Sequence, residues 1–235
     1  MEHNHDIMLE IDALKAGYRK GDFILKGISL SIPKGTTLGI VGRNGCGKST
    51  LAKAIVGMTP FRQGVIKYKG ESIMDVLPHQ LRLKGLSIMY QGGLVFQNLT
   101  VYDNLMIADN NHDKTTIDTL CDLIPALGSL SQIKDTMADK LSGGKRHQLA
   151  LAMTLLAGRD LVILDEPSAG LMPSAAAELY TALDNVRRCF GTTFLLVEQN
   201  VRRAEKFADQ LVVMESGTII YQGRDSNIIE QLMFM

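Results

Sequence analysis

The stretch Gly42-Arg43-Asn44-Gly45-Cys46-Gly47-Lys48-Ser49 decides how this chain is organised. It fits the phosphate-binding loop pattern G-x-x-x-x-G-K-[ST] at every fixed position. The run before it, Thr36 to Val41, is apolar and β-prone. The run after it, Ser49 to Val56, is helical in composition and stops at Gly57, a good helix terminator. The motif therefore lies at a strand–loop–helix junction, which is the context that its mechanism needs.

The residue types of this loop suit a phosphate group. Gly42, Gly45 and Gly47 let the backbone fold tightly and point its N–H groups inward. The N-terminus of the following helix adds positive potential. Lys48 can reach the β- and γ-phosphates of a nucleotide, and Ser49 offers a hydroxyl to Mg²⁺. The alternative, a glycine-rich turn with a chance lysine, is disfavoured by the full pattern in its strand–helix context.

Composition excludes several classes of protein. The chain has 235 residues, enough for one large domain or two modest ones. Its 25 Lys and Arg balance 25 Asp and Glu, which argues against a dedicated nucleic-acid binder. No apolar run approaches the roughly 18 residues of a membrane span, and residues 1–6 are polar, unlike a signal peptide. We therefore expect a cytosolic protein.

The three cysteines, Cys46, Cys121 and Cys189, are odd in number, far apart and without metal-ligand spacing. Free thiols in a reducing compartment are the favoured interpretation. Cys46 is notable because it lies inside the phosphate-binding loop.

Alternating strands and helices predict an α/β fold with a largely parallel core sheet. The strands between Met8 and Tyr68 are too close together for helical crossovers, so they predict an antiparallel layer beside that core. The segment from about Gln91 to Lys140 has no strong strand and is predicted to be a helical insertion, with helices at 100–108 and 115–127 and an exposed polar linker at 109–114. The other predicted strands are 8–14, 23–32, 36–41, 65–68, 86–90, 161–164, 193–197 and the hairpin 211–214 with 218–221; the other helices are 49–56, 78–84, 143–157, 174–189, 200–207 and 225–233.

Two carboxylates follow the apolar strand Leu161 to Leu164. Asp165, at the end of a core strand, is where a P-loop enzyme holds Mg²⁺, so it is the metal candidate. Glu166 lies one residue further and could polarise an attacking water as general base. The alternative is a surface acidic turn that closes the strand, and the presence of the phosphate-binding loop makes that alternative weaker.

A second anion-binding feature opens the helix before this strand. Ser142 is a good N-cap, and Gly143 and Gly144 leave the first backbone N–H groups bare. One nucleotide does not need two such helix ends in the same molecule. A capped helix with a flexible start is the alternative, and it is favoured if this segment is considered alone.

Taken together, these residues resemble the ATP-binding subunit of ABC transporters, over nearly the whole chain from about Met8 to Tyr221. Leu141 to Gly144 is similar to that family's signature motif, Asp165-Glu166 to its Walker B end, and Gln91 to its Q-loop. The resemblance implies contacts with ATP at Tyr18 (stacking on adenine), Gly42, Asn44, Gly45, Cys46, Gly47, Lys48, Ser49, Thr50, Ser142, Gly143 and Gly144. It implies Mg²⁺ contacts at Ser49, Gln91 and Asp165, and catalytic roles for Glu166 and Gln199.

The resemblance also implies an architecture and partners. Residues 1–235 are expected to form one P-loop NTPase domain of the ABC type, with a helical subdomain at about 91–140 and the signature helix from Ser142. A head-to-tail dimer would place each ATP between the phosphate-binding loop of one subunit and the signature helix of the other. The second subunit is either an identical chain or a paralogue. The membrane partner would be contacted by the helical insertion, which puts the protein on the inner face of the cell membrane.

Three positions depart from the family pattern. Gln199 occupies the place of the usual His after the strand that ends at Val197. A glutamine can donate a hydrogen bond to the γ-phosphate but cannot become cationic. Leu171 stands where an Asp is usual, and Lys145 replaces the usual Gln of the signature. The run Glu-Gln-Asn at 198–200, with Ser-x-Gly-Leu-x-Pro at 168–173, is similar to the uptake ATPases for branched-chain amino acids and urea.

Two further functions compete with a transport ATPase. A soluble ABC-type module that binds ATP for regulation or assembly is one, although family members in translation carry two such domains and those in chromosome structure carry long coiled coils. Neither feature fits 235 residues with one phosphate-binding loop. An unrelated P-loop kinase or GTPase is the other; it leaves the signature helix unexplained, and an N-K-x-D run for guanine is absent from the sequence.

Overall fold

The computed structural model describes residues 7–109, 118, 120, 130 and 132–234. Its strands are β1 (Ile7–Gly17), β2 (Leu25–Pro33), β3 (Thr37–Gly42), β4 (Phe61–Tyr68), β5 (Glu71–Ser72), β6 (Leu86–Met89), β7 (Leu161–Asp165), β8 (Thr193–Val197), β9 (Gln210–Glu215) and β10 (Thr218–Gly223). Its helices are α1 (Lys48–Ile55), α2 (Pro78–Leu83), α3 (Val101–Ala108), α4 (Gly143–Ala157), α5 (Pro173–Phe190), α6 (Val201–Phe207) and α7 (Ser226–Phe234). The described residues form two compact units: the first extends up to Leu81 and resumes at Thr193, and the second runs from Arg82 to Thr192.

The first unit contains an antiparallel sheet with the strand order β2-β1-β4-β5. Leu9 pairs with Ile32 and Ile11 with Leu30, and all four side chains are buried. Because side chains alternate between the two faces of a strand, this pairing gives the sheet one apolar face. The antiparallel layer predicted from the closely spaced early strands is confirmed. The short strand β5 had no signal in the sequence pattern.

The same unit contains a second set of strands in the order β10-β9-β3-β8. β3 is parallel to both β8 and β9, with Ile40 opposite Val197 on one side and Val212 on the other. All three side chains are fully buried, as expected for a parallel strand covered on both faces. The N–H of Glu198 donates to the carbonyl of Ile40 at 3.0 Å. The segments that follow β3 and β8 therefore leave the sheet at the same edge.

The second unit is built around β6 and β7, which are parallel, with Leu86 opposite Leu161. Every residue of β7 is buried. Helix α4 contacts β6 and α3. The hydroxyl of Ser142 accepts a long hydrogen bond of 3.4 Å from the N–H of Lys145, so the predicted N-cap is confirmed. The buried face of α4 includes one titratable side chain, His147.

Most predicted elements are present within a few residues of their expected ends. Helix α4 and strand β8 have the predicted bounds. β4 begins at Phe61 rather than Val65, because its pairing with β1 continues to the end of that strand at Gly17. The hairpin of β9 and β10 is antiparallel, as predicted. In the described part of the chain, no helix is both long enough and apolar enough to cross a membrane.

One prediction about the helical insertion is wrong. Asp109, placed in an exposed linker, is only 2% exposed. The reason is that Asp109 is the C-cap of α3. Its N–H donates to the carbonyl of Leu105 at 3.0 Å, which holds this residue next to the helix. Residues 110–114 of that linker lie outside the described residues, as does Cys121. Of the helix predicted at 115–127, only residues 118 and 120 are described, and both are helical.

Gly64 lies where β1 bulges against β4, and it offers a test of the antiparallel sheet. Its φ is +101°, and a Cβ there would lie 2.6 Å from the carbonyl oxygen of Ala13. We expect Gly64→Ala to lower the free energy of unfolding by about 2–4 kcal/mol, because backbone strain and a steric clash add together. Gly70→Ala is the matched control, because its φ is +81° but no atom lies within 4 Å of the added Cβ. It should cost only about 1 kcal/mol. Urea denaturation measures both values, and equal losses would contradict the close approach at Gly64.

His147 makes stability depend on pH. Burial lowers the pKa of its imidazole below the ordinary value of 6.5, and a hydrogen bond to the carbonyl of Pro167 offsets part of that effect. As the pH falls through 6.5, the unfolded chain takes up a proton that the folded chain does not yet bind. The free energy of unfolding therefore decreases on acidification between pH 6.5 and the lowered pKa of the folded protein. In urea titrations over this range, we expect a steeper decrease for the wild type than for His147→Asn; parallel curves would show that His147 does not carry this dependence.

Candidate functional site

The phosphate-binding loop joins β3 to α1 through a tight turn. The N–H of Cys46 donates to the carbonyl of Arg43 at 3.3 Å. Gly45 and Gly47 have φ values of +79° and +109°, a backbone conformation that residues with a Cβ avoid. Gly47 is restricted further, because a Cβ there would lie 3.1 Å from the side chain of Leu25. The glycines of the motif are therefore required by the shape of the loop.

Lys48 is the first residue of α1 and is buried, with only 4% of the residue exposed. Its ammonium donates to the carbonyls of Gly42 at 2.8 Å and Arg43 at 3.1 Å. Burying a charge is costly unless it is hydrogen-bonded, so these two carbonyls stabilise the ammonium inside the loop. The arrangement keeps a positive charge next to the first backbone N–H groups of α1. A bound phosphate would meet both.

The turn between β9 and β10 is hydrogen-bonded to the phosphate-binding loop. The N–H of Gly217 donates to the carbonyl of Cys46, and the carbonyl of Gly217 accepts from the N–H of Lys26, both at 2.9 Å. Gly217 has a φ of +85°, and a Cβ would collide with the backbone of Ile24. This contact joins residues far apart in the sequence. The Glu-Ser-Gly turn at 215–217 predicted the hairpin, but nothing in that signal predicted its contact with the loop.

Gln199 is brought to the phosphate-binding loop. A cavity of about 520 Å³ is lined by Gly42, Arg43, Asn44, Gln199, Asn200, Val201, Arg202, Glu230 and Met233. Asn200, the residue after Gln199, caps α6 by accepting from the N–H of Arg203 at 3.1 Å. This cap fixes the backbone that presents Gln199 to the cavity. The side chain of Gln199 is exposed, so it is free to meet a ligand held by the loop.

Glu198 is a buried carboxylate that the motif analysis missed. Only 3% of the residue is exposed, although it directly follows β8 and precedes Gln199. One of its carboxylate oxygens accepts from the N–H of Gln199 at 3.1 Å. A charged residue at the end of the apolar run 193–197 is the sequence signal that could have indicated it. Its role in the structure is to hold the start of the Gln199 segment.

The remaining predicted residues of the first unit differ in exposure. Asn44 is exposed, Ser49 is half-buried and Thr50 is buried at the start of α1. Tyr18 lies on the surface just after β1 and is 44% exposed. It does not line the 520 Å³ cavity or the neighbouring cavity of about 260 Å³, which includes Arg43 and Asn44. The structure therefore groups Gln199 with the loop but does not group Tyr18 with it.

Three predicted site residues come together in the second unit. Asp165 is the last residue of β7 and is buried, with 3% exposed. Glu166 follows with a φ of +50°, a left-handed conformation that is rare for residues other than glycine. The side-chain amide of Gln91 donates to a carboxylate oxygen of Glu166 at 2.9 Å. This hydrogen bond joins the Q-loop candidate to the candidate base.

Tyr90, the neighbour of Gln91, has a pKa that is affected by the charge of Asp165. Burial raises the pKa of its phenol above the ordinary value of 10.0, and the nearby negative charge of Asp165 raises it further. The phenol therefore stays protonated at neutral pH. Tyr90 was not predicted as a site residue, because its only sequence signal is its position directly after β6.

The signature segment is open to solvent. Ser142, Gly143 and Gly144 are exposed, and no atom lies within 4 Å of a Cβ added to either glycine. The first N–H groups of α4 are thus accessible at this helix end. A helix of 15 residues with a bare N-terminus can bind an anion there.

His147 lies inside the second unit, one turn beyond that open end. A Cβ added to Gly93 would lie 3.4 Å from its Nδ1 and 3.1 Å from the Cβ of Ala150, so the Gln91 segment rests on this face of α4. Sequence reasoning missed His147; its signal is a polar residue at the same helical spacing as Ala150 and Leu151.

Among the described residues, no cluster of three or more His, Cys, Asp or Glu side chains has the arrangement of a metal site. Mg²⁺ commonly takes one or two protein ligands and completes its shell with phosphate oxygens and water. Ser49 in the first unit, and Gln91 and Asp165 in the second, each carry an oxygen donor of the kind that Mg²⁺ prefers.

Comparison with known proteins agrees with this geometry. The model of the ABC transporter family matches residues 25–169. A probable branched-chain amino acid transport ATP-binding protein of Archaeoglobus fulgidus is 36% identical over 97% of this chain and 96% of its own length. A high-affinity branched-chain amino acid transport ATP-binding protein of Pseudomonas aeruginosa is 32% identical over 91% of both chains.

A solved structure supports the fold. The crystal structure of an ATP-binding cassette of an ABC transporter, in its ADP conformation, has a TM-score of 0.80 and 26% identity, covering 96% of this chain and 94% of that chain. The predicted fold class, with parallel and antiparallel strands and helices of the ABC ATPase type, is confirmed, as is the resemblance read from the motifs. This chain belongs to the ABC transporter family, as an ATP-binding subunit with ATPase activity.

Proposed function

We propose that this chain powers the uptake of branched-chain amino acids by hydrolysing ATP on behalf of separate membrane subunits. The hydrogen bond of 2.9 Å between Gln91 and Glu166 carries the catalytic part of the proposal, because it ties the candidate base to the residue expected to sense the nucleotide. The substrate class rests on two relatives whose names specify branched-chain amino acid transport. Urea is the other substrate that the sequence pattern allows.

The phosphates of ATP bind at the loop of the first unit. Backbone N–H groups around Gly45 and Gly47 and the N-terminus of α1 provide hydrogen bonds and positive potential. The ammonium of Lys48 exchanges its two carbonyl acceptors for phosphate oxygens, which provide stronger, charge-assisted hydrogen bonds. Asn44, Cys46 and Thr50 belong to the same loop and helix start. Tyr18 contacts the adenine ring.

Mg²⁺ is proposed to bind at Ser49, Gln91 and Asp165. When bound, it neutralises charge on the phosphates. The hydroxyl of Ser49 and the carboxylate of Asp165 are hard oxygen donors suited to that ion. The amide of Gln91 has one oxygen for the metal and one N–H₂ group, which already donates to Glu166.

Glu166 acts as general base on the attacking water. Its carboxylate is half-buried and oriented by the amide of Gln91, and this fixes the direction in which it accepts a proton. Gln199 donates a hydrogen bond toward the γ-phosphate from the edge of the loop cavity. Because an amide cannot become cationic, this residue stabilises charge less strongly than a histidinium would.

The exposed signature end at 142–144 binds the ATP of a second subunit. Its accessible N–H groups and capped start form an anion site that the chain's own nucleotide does not need. We infer that two ATPase subunits close on two nucleotides and reopen after hydrolysis, and that this motion is passed to the membrane subunits. The second subunit is an identical chain or a paralogue.

The protein binds peripherally to the inner face of the cell membrane through its membrane subunits. Residues 1–235 act as one ATPase domain, with a helical subdomain at about 91–140. Support for a single functional domain comes from the family match, which spans residues 25–169, and from relatives aligned over more than nine tenths of the chain.

We expect Glu166→Gln to bind ATP as the wild type does but to lose turnover about 10²- to 10⁴-fold, because the amide is of similar size but cannot accept the proton. Phosphate release and nucleotide affinity measure the two effects separately. Glu178→Gln is the matched control, since Glu178 is exposed on α5, and it should leave both unchanged. Hydrolysis by Glu166→Gln at the wild-type rate would contradict its role as base.

The same variant reports the subunit arrangement, because it holds ATP without consuming it. A solution mass that doubles on addition of Mg-ATP supports a pair of identical chains. A mass that stays that of a monomer, with ATP bound, points to a missing partner, which is either a paralogous ATPase or the membrane subunits.

Deletion of this gene should abolish most uptake of labelled leucine. The wild-type chain should restore uptake, and Lys48→Ala should not, since it removes the buried ammonium of the loop. Lys53→Ala, in the last turn of the same helix, is the control and should restore uptake. Labelled urea is measured in parallel. Loss of urea uptake with leucine uptake intact would overturn the amino-acid assignment while retaining the motor.

A further inference from the structure

The last turn of α7 lies next to the phosphate-binding loop and is bound by two arginines. Arg43, in the loop, donates from Nε to the carbonyl of Met233 at 3.5 Å, which is long for a hydrogen bond. Arg202 of α6 forms an ion pair with Glu230, with 3.4 Å between Nε and a carboxylate oxygen. One guanidinium therefore comes from the loop and the other from the segment that follows Gln199.

The same residues line the cavity at the loop. Arg43, Arg202, Glu230 and Met233 all line the cavity of about 520 Å³ that Gln199 also lines. The neighbouring cavity of about 260 Å³ extends from the loop to the same turn of α7. Open space therefore lies between much of this turn and the loop.

The first half of α7 is held more firmly than its last turn. Ile229 is fully buried, whereas its neighbour Ile228 is 41% exposed. The carboxylate of Asp225 accepts from the N–H groups of Asn227 at 2.9 Å and Ile228 at 3.3 Å, which caps the start of the helix. The helix is thus anchored at its start and middle, and the two arginine contacts add a weaker hold on its end.

The two arginine contacts are weak enough to be exchanged for others. In the ion pair, 83% of the Arg202 side chain and 42% of the Glu230 side chain are exposed, and exposed pairs contribute little to stability. The long bond from Arg43 goes to an uncharged carbonyl. A phosphate group offers each guanidinium two charged oxygens in a bidentate geometry, which gives stronger hydrogen bonds. The carboxylate of Glu230, in contrast, repels a polyphosphate that enters the same cavity.

We propose that α7 is an autoinhibitory element: its last turn occupies Arg43 and Arg202, and the phosphates of ATP take these two guanidiniums from it. This inference rests on the proposed function, in which ATP binds at the loop. Arg43 and Arg202 then contact the nucleotide in addition to Lys48, and the last turn of α7 moves away from the cavity. Because coupling between two binding events is reciprocal, a helix that ATP displaces also weakens the binding of ATP.

Two substitutions test the helix and its charge. Ile229→Ala removes the buried anchor of α7, and Ile228→Ala is the matched control because it makes the same change at the exposed neighbouring position. Glu230→Gln keeps the size of the side chain but removes its negative charge, and Glu178→Gln is its control at an exposed position of α5. Because the Glu230 side chain is partly exposed, Glu230→Gln tests the proposal even if Ile229→Ala unfolds the protein.

Affinity is measured by titration calorimetry with Mg²⁺ and adenylyl-imidodiphosphate, an ATP analogue that is not hydrolysed. We expect Ile229→Ala and Glu230→Gln to bind the analogue about threefold to tenfold more tightly than the wild type, because the contacts that α7 gives up are weak. The two control variants should bind it as the wild type does. Arg202→Ala should bind it about threefold to tenfold more weakly, because one phosphate contact is lost.

Hydrogen–deuterium exchange measures the movement of α7 directly. We expect the analogue to protect the loop at 42–49 and to speed exchange in the last turn of α7, which loses its arginine contacts. In Glu230→Gln, exchange in that turn should already be faster before the analogue is added.

The outcomes distinguish the inhibitory role from the proposed site of ATP. Protection of the loop, with unchanged exchange in α7 and wild-type affinity in Glu230→Gln, would overturn the inhibitory role and retain the site. Weaker binding by both Ile229→Ala and Glu230→Gln would show that α7 supports the site, which also overturns the inhibitory role. An unprotected loop, together with equal binding by Lys48→Ala and the wild type, would overturn the proposed site and the inhibitory role with it.

Discussion

A buried ammonium determines the structure of the phosphate-binding loop. Lys48 is almost fully enclosed, and a charge in that position is tolerated only where acceptors surround it. The carbonyls of Gly42 and Arg43 provide those acceptors, which requires the chain to curl back over the start of α1. That curl needs positive φ angles, which glycine supplies at Gly45 and Gly47. The hairpin turn at Gly217 is hydrogen-bonded to the loop at Cys46, so residues distant in the sequence help to hold the loop that encloses the ammonium of Lys48.

In the second unit, the energetically unfavourable feature is the left-handed backbone conformation of Glu166. Among the described residues, four other than glycine have positive φ: Ala13, Lys69, Glu166 and Ser216. Lys69 and Ser216 each precede a glycine with positive φ in a hairpin turn, where two such residues are ordinary. Ala13 lies at the bulge of β1. Glu166 has neither explanation, because it follows a parallel strand; its carboxylate accepts the hydrogen bond from Gln91.

The sequence predicted best what depends on local chemistry. The bounds of α4 follow from its Ser142 cap and Gly158 end, and the motifs named both residues of the hydrogen bond between Gln91 and Glu166. Contacts between segments that are far apart along the chain could not be predicted from the sequence. The hydrogen bond between Cys46 and Gly217 joins residues that share no pattern, and the burial of His147 depends on the Gln91 segment packing against α4. Asp109 was misplaced because polarity indicates exposure only on average.

Two side chains, Gln199 and His147, do not contribute positive charge toward a nucleotide at neutral pH. Gln199 is an amide and has no cationic form. His147 is neutral at pH 7, because burial lowers its pKa below the ordinary 6.5. In the function we propose, positive charge toward the phosphates therefore comes mainly from Lys48, from the N-terminus of α1 and from a bound cation. Under that proposal, hydrolysis does not depend on a histidine that gains and loses its charge, and the orientation of Glu166 is what the protein must control.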